Sequence, residues 1–222
     1  MNKPICAVFD FDGTLMDTEP AIMASYEHVF RMYSDVREFT PERRIRVLGP
    51  ALDVMMAEFF PDRDPAECVN EYRKYQRENL RTLIHPMDGA LEMLAKLNTM
   101  DIPCAVVSTR YYKSLKELMD MHHMTGFMSV ILGHDSVTKG KPDPEGILKA
   151  QEALGAERAV YIGDSVMDIQ AGRNAGAVTV AYPSNEGKRE QLLAEQPDYV
   201  TEDLRELPAV LRTIMEGGQT DE

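Results

Sequence analysis

The stretch Cys6-Ala7-Val8-Phe9-Asp10-Phe11-Asp12-Gly13-Thr14-Leu15 constrains the chain more than any other. An apolar run of this length, ending in two aspartates spaced i, i+2, reads as a central parallel strand buried on both faces. Residues two apart on an extended chain project to the same side. Asp10 and Asp12 therefore emerge together at the carboxyl end of the strand, where open α/β sheets place their ligand crevice. Two like charges that close repel unless a cation lies between them or one is protonated. The pattern asks for a metal, a shared proton, or both. As a bare Asp-x-Asp-Gly it also describes two surface aspartates opening a turn, and the remainder of the chain decides between the two.

Residues 18–84 read as helices only. Ala21–Met32 has helical spacing, with Asp17 or Thr18 as N-cap and Pro20 in the first turn. Thr40-Pro41 opens a second helix that Gly49-Pro50 closes, and Leu52–Phe60 and Pro65–Leu83 follow. From His85-Pro86 onward, strands and helices alternate. Helices are expected at Asp88–Thr99, Leu115–Met121, Pro144–Leu154 (Asp143 as N-cap, Pro144 at N1), Val166–Ala175, Arg189–Glu195 and Leu204–Met215. Strands are expected at Pro103–Ser108, Val130–Leu132, Ala159–Ile162, Val178–Ala181 and Tyr199-Val200. Such alternation implies βαβ units and a parallel sheet covered on both faces. The expected fold is α/β: a Rossmann-like parallel-sheet core from residues 1–16 and 86–216, an all-helical cap domain inserted at 17–85, and a disordered tail at 217–222.

At 222 residues and 44% hydrophobic, the chain can build a substantial core. It has no run of eighteen apolar residues and no signal-peptide layout at its start, so a soluble, cytoplasmic protein without a membrane partner is expected. Cys6, Cys68 and Cys104 form no close pairs; in apolar runs such thiols pack as small hydrophobes, which disfavours a disulfide framework or a zinc site. A net charge of −13 disfavours nucleic acid as a partner. A small phosphorylated substrate remains compatible with it, because local lysines, arginines or a metal can dominate a pocket. The oligomeric state is left open.

Three further clusters sit where strands should end. Val106-Val107-Ser108-Thr109-Arg110 closes a strand on two hydroxyls; Ser108 can donate to a phosphate oxygen, although serine after a strand is commonly a turn residue. In Gly140-Lys141-Pro142-Asp143-Pro144-Glu145, two prolines restrict the backbone that presents Lys141, which otherwise reads as a solvated lysine at a helix start. Gly133–Lys141 is not a P-loop, since the glycine spacing is wrong and Pro142 stands at the Ser/Thr position. Val160-Tyr161-Ile162-Gly163-Asp164-Ser165 places Asp164 at the sheet edge, and Ser165-x-x-Asp168 fits a capping box. Capping by Asp168 is compatible with orienting Lys141 or holding a metal-bound water. Hard oxygen donors of this kind favour Mg²⁺.

In their order (Asp-x-Asp, Ser, Lys, Gly-Asp-x-x-x-Asp), the four clusters resemble the signature motifs of the haloacid dehalogenase superfamily, over essentially residues 3–212. The helical insertion after the first motif is similar to that superfamily's helical cap, and the Ser108–Lys141 interval is too short for its larger alternative cap. Within the superfamily the likeness is to phosphoglycolate phosphatases and PpaX-like pyrophosphatases. It rests on Arg46-Val47-Leu48-Gly49-Pro50-Ala51-Leu52, on Asp135-Ser136-Val137-Thr138 leading into Lys141-Pro142-Asp143-Pro144, and on Gly163-Asp164-Ser165.

The resemblance implies that Asp10 is a nucleophile forming an aspartyl-phosphate and that Asp12 is general acid, then base. It implies Mg²⁺ held by the Asp10 carboxylate, the Asp12 carbonyl and Asp164, with Asp168 assisting through water. Ser108 and Lys141 would bind the phosphoryl oxygens. Gly13, Thr109, Arg110 and the cap residue Arg46 are candidate substrate contacts, while at least two of Arg43, Arg44 and Arg46 read as solvated helix residues. Thr109-Arg110 departs from the Asn-Lys common at that place. The implied activity is that of a phosphohydrolase of the phosphoglycolate phosphatase type. Its rivals are an inorganic pyrophosphatase, a β-phosphoglucomutase-like phosphotransferase and a non-catalytic binding module; retention of Asp10, Asp12, Lys141 and Asp164 together argues against the last.

Overall fold

The computed structural model describes residues 5–33, 38–47, 52–184 and 186–217. Six strands form one sheet in the order β5-β4-β1-β6-β7-β8, made of β1 (Ile5–Phe9), β4 (Cys104–Val107), β5 (Val130–Leu132), β6 (Arg158–Gly163), β7 (Val178–Ala181) and β8 (Tyr199–Val200). Every adjacent pair is parallel, so the α/β expectation holds.

The first strand is apolar throughout because it lies inside the sheet with both faces covered. Cys6 and Val8 belong to a cluster with Ala105, Val107 and Tyr161, and with Ile147, Ala150 and Ala171 from helices α7 (Glu145–Ala153) and α8 (Val166–Asn174). The alternate residues Ala7, Phe9, Val106 and Ile162 are equally buried. Burial pushes the Cys6 thiol up to about 11 and the Cys104 thiol up to about 12, so both behave as packed, reduced side chains.

The chain divides into two compact units, 1–16 with 86–222, and 17–85. The second contains α1 (Glu19–Tyr33), α2 (Pro41–Arg46), α3 (Leu52–Phe59) and α4 (Pro65–Leu83). It has its own core, in which Phe30 stands 4.8 Å from Phe60 and Tyr26 meets Tyr72 edge-on at 5.0 Å. Thr40 caps α2 by accepting from the Arg43 amide at 3.4 Å. The expected stop at Gly49-Pro50 lies outside the described residues. Two short strands went unforeseen: β2 (Met16–Asp17) and β3 (His85–Pro86) form a separate two-stranded sheet. Two residues carry no readable period.

The remaining helices are α5 (Ala90–Thr99), α6 (Tyr112–Met121), α9 (Glu186–Ala194) and α10 (Leu207–Gly217). α5 begins two residues later than expected, after a turn in which the Ala90 amide donates to the Met87 carbonyl. α7 begins at Glu145 instead of Pro144, with Pro144 at the cap; Asp143 still serves the helix start by accepting from the Glu145 amide at 3.0 Å. α10 is preceded by a 3-10 turn at Leu204–Glu206 and runs to Gly217, while 218–222 of the expected tail lie outside the described residues. Among the described residues, no helix is long and apolar enough to cross a membrane.

Candidate active site

The polar side chains of interest gather at the carboxyl edge of the sheet. β1 hands over directly to Asp10, whose amide donates to the Ile162 carbonyl of β6 at 2.8 Å, so the strand ladder fixes where that carboxylate starts. The Ser108 amide, just past β4, donates to Leu132 of β5 at 3.0 Å. Asp164 follows β6, and Asp168 lies in the first turn of α8. Asp10, Ser108, Asp164 and Asp168 are all buried.

Lys141 reaches the same point from the loop between β5 and α7. Its Nζ donates to Asp10 Oδ1 at 2.7 Å and to Asp168 Oδ1 at 2.5 Å. The three side chains are 7%, 8% and 0% exposed, so this is a buried cation between two carboxylates. The loop is held on both sides of the lysine. Glu145 accepts from the Thr138 amide (2.9 Å) and the Lys139 amide (2.8 Å), and Asn174 of α8 donates to the Pro142 carbonyl at 3.0 Å.

Asp168 divides its two oxygens between two tasks. Oδ2 accepts from the Ser165 amide (3.0 Å) and hydroxyl (2.6 Å), closing the capping box expected from Ser165-x-x-Asp168. Oδ1 accepts from Lys141 and from the Tyr161 hydroxyl at 3.2 Å. Helix capping and orientation of the lysine are served at once.

Asp164 accepts from Ser184 Oγ at 3.1 Å and is ion-paired with Lys188 of α9. Gly13 lies against it: with φ +83°, a Cβ at this residue would stand 2.1 Å from Asp164 Oδ2. Asp12 is turned to Arg110, which grips both carboxylate oxygens, Nη2 to Oδ1 at 2.5 Å and Nε to Oδ2 at 3.3 Å. Ser108 Oγ accepts from the Arg110 amide at 3.1 Å. Thr109 is exposed. Arg46 belongs to the unit 17–85, where it is 55% exposed and ion-paired with Glu58.

Carboxylate oxygens of Asp10, Asp164 and Asp168 lie within 4.8 Å of one another, a spacing that can hold one metal ion. The electrostatics fit such a group. Burial raises the Asp10 carboxyl well above its ordinary value; Lys141 opposes the rise, and the charges of Asp168, Asp164 and Asp12 add to it. Burial likewise raises Asp164, against the pull of Lys188. For Lys141, burial acts to lower the value, but Asp10 and Asp168 more than reverse it and keep the ammonium charged. Clustered buried carboxylates that resist ionising are what a hard divalent cation would relieve, and an all-oxygen donor set suits Mg²⁺ better than a softer metal.

Sequence reasoning missed Tyr161, Ser184, Lys188, Glu145 and Asn174. Tyr161 reads as one more aromatic within a buried strand. Ser184 carried a usable signal, since it closely follows the carboxyl end of β7 on the same sheet edge as the other strand-end residues.

Comparison with known proteins agrees with this architecture. The family model for haloacid dehalogenase-like hydrolases matches residues 7–182. A pyrophosphatase PpaX of Listeria monocytogenes is 34% identical over 216 residues, covering 95% of this chain and 98% of the relative. A pyrophosphatase PpaX of Halalkalibacterium halodurans is 31% identical over 209 residues, covering 93% and 95%. A solved haloacid dehalogenase-like hydrolase of Streptococcus pneumoniae superimposes with a TM-score of 0.82 at 23% identity, covering 95% of this chain and 100% of that one. With its parallel sheet, its strand-end carboxylates and these relatives, the chain belongs to the haloacid dehalogenase-like hydrolase family, and it is an enzyme of the phosphatase and pyrophosphatase kind.

Proposed function

We propose that this enzyme is a Mg²⁺-dependent phosphohydrolase of the cytoplasm, acting on a small phosphorylated compound through an aspartyl-phosphate on Asp10. The Lys141 ammonium supports the reading most: it contacts both Asp10 and Asp168 at the sheet edge, 131 residues from the first of them in sequence. A carboxylate nucleophile would be repelled by an anionic phosphate, and a fixed buried cation beside it offsets that repulsion. Asp10, Asp164, Asp168 and the Asp12 carbonyl would hold the metal. When bound, Mg²⁺ supplies further neutralisation and alignment of the transferring group.

In the first step an Asp10 oxygen bonds to phosphorus, the bond from phosphorus to the leaving oxygen breaks, and Asp12 gives that oxygen a proton. In the second, Asp12 takes a proton from water as the water oxygen bonds to phosphorus. The bond between Asp10 and phosphorus then breaks, releasing inorganic phosphate and restoring both aspartates. Ser108 and Lys141 bind the phosphoryl oxygens throughout.

The sequence resemblance suggests a phosphomonoester of the phosphoglycolate type. The 34% identity to a protein named pyrophosphatase PpaX favours pyrophosphate as the compound to test first. The deciding experiment assays purified protein with Mg²⁺ against pyrophosphate, 2-phosphoglycolate and sugar phosphates, alongside Asp10→Asn. Turnover of at least one compound is expected, together with a loss on the order of 10⁴-fold or more in the variant and an unchanged circular dichroism spectrum. Near-normal turnover by Asp10→Asn would refute the nucleophile.

A further inference from the structure

Arg110 is a cation at this site that the proposed chemistry does not use. Its side chain is only 12% exposed, and its guanidinium is gripped from several directions. Beyond the two bonds to Asp12, Nη1 donates to Ser114 Oγ at 3.4 Å, and the guanidinium carbon lies 6.0 Å from the Phe11 ring centroid. Its backbone is also tied down: the amide donates to Ser108 Oγ at 3.1 Å, and the carbonyl accepts from the His134 amide at 2.8 Å. The fork is therefore held in advance, as a site for a planar or tetrahedral anion requires.

Its position says which anion. If Asp12 protonates the leaving oxygen, a guanidinium bonded to both Asp12 oxygens stands beside the leaving group. Lys141 lies elsewhere, on Asp10 and Asp168. We infer that Arg110 determines specificity by favouring leaving groups that carry their own negative charge, such as the phosphate of pyrophosphate or the carboxylate of 2-phosphoglycolate. The inference rests on the phosphohydrolase reading with Asp12 as acid. An anionic leaving group shares the fork with Asp12, and its charge is neutralised as it departs. A neutral alcohol brings no charge for the guanidinium to neutralise and depends on it only through Asp12.

The test measures kcat/KM for wild type, Arg110→Lys and Arg110→Met on two compounds with anionic leaving groups (pyrophosphate, 2-phosphoglycolate) and two with neutral ones (glycerol 2-phosphate, phenyl phosphate). The expected result for Arg110→Met is a fall of about 10²-fold in the ratio of kcat/KM on the anionic pair to that on the neutral pair, over and above any loss both pairs share through Asp12. Arg110→Lys should retain an intermediate share, since it keeps the charge without the fork. Equal loss on both pairs would overturn the inference, because Arg110 would then merely orient Asp12; so would no loss on either. Wild type inactive on all four compounds would instead overturn the phosphohydrolase reading and this inference with it. Melting curves for each variant separate these outcomes from misfolding.

Discussion

At position 13 a methyl group has nowhere to go. The backbone has φ +83°, and a Cβ there would lie 2.1 Å from Asp164 Oδ2 and 2.7 Å from its Cγ. A flexible carboxylate could yield, but Asp164 is held by Ser184 and Lys188. Gly13→Ala therefore combines backbone strain with displacement of a proposed metal ligand. Gly155 supplies the control: it too has positive φ (+62°), yet nothing lies within 4 Å of the Cβ it would gain. Both alanine variants should lose about 1–3 kcal/mol of stability from strain. Only Gly13→Ala should also lose turnover, by about 10²-fold, as expected for an ångström-scale misplacement at the chemistry. Thermal melts and steady-state rates on the two variants check this, and equal activity in both would show that Asp164 tolerates the shift.

The segment joining β5 to α7 depends on one carboxylate that comes after it in sequence. Glu145 accepts from the Thr138 and Lys139 amides and from Lys149 Nζ at 2.6 Å, fixing the loop that presents Lys141. The Lys149 bond, then the two amides, lower its carboxyl from 4.5 to about 2. A depressed folded-state value stabilises the protein fully above the unfolded value, and that contribution is lost as pH falls through the folded one. The difference in melting temperature between wild type and Glu145→Ala should thus stay flat from about pH 8 to 5 and narrow below about pH 4.5. A difference that instead widens in acid would rule this clamp out.

The same loop shows what sequence could reveal at this scale. Asp143 and Pro144 announced a helix start to within one residue, because caps and prolines act locally. The grip of Glu145 on amides six and seven residues upstream has no periodic signature. Strand ends were legible at Asp10, Ser108 and Asp164 because each apolar run stops there. Tyr161 and Lys188 were not, since each meets its aspartate only after the sheet has formed. The two-residue strands β2 and β3 are too short to show alternation at all.

Across the whole molecule, a net charge of −13 coexists with buried carboxylates at 10, 164 and 168. The surface charge responds to any salt within a Debye length, whereas the buried cluster is shielded from screening and responds to an ion that enters it. A ligand bound by the folded state alone stabilises it by about 2.7 kcal/mol at a concentration of 100 Kd. For a chain of this size that corresponds to a rise in melting temperature of about 5–10 °C. Mg²⁺ should therefore raise the melting temperature saturably, well beyond NaCl at equal ionic strength. Asp164→Asn should abolish most of the Mg²⁺-specific part while keeping the salt response, because it removes the negative charge of one of the three clustered carboxylates and leaves the surface unchanged. If Mg²⁺ and NaCl instead act alike on both proteins, cation binding is a surface effect and the three carboxylates do not form a metal site.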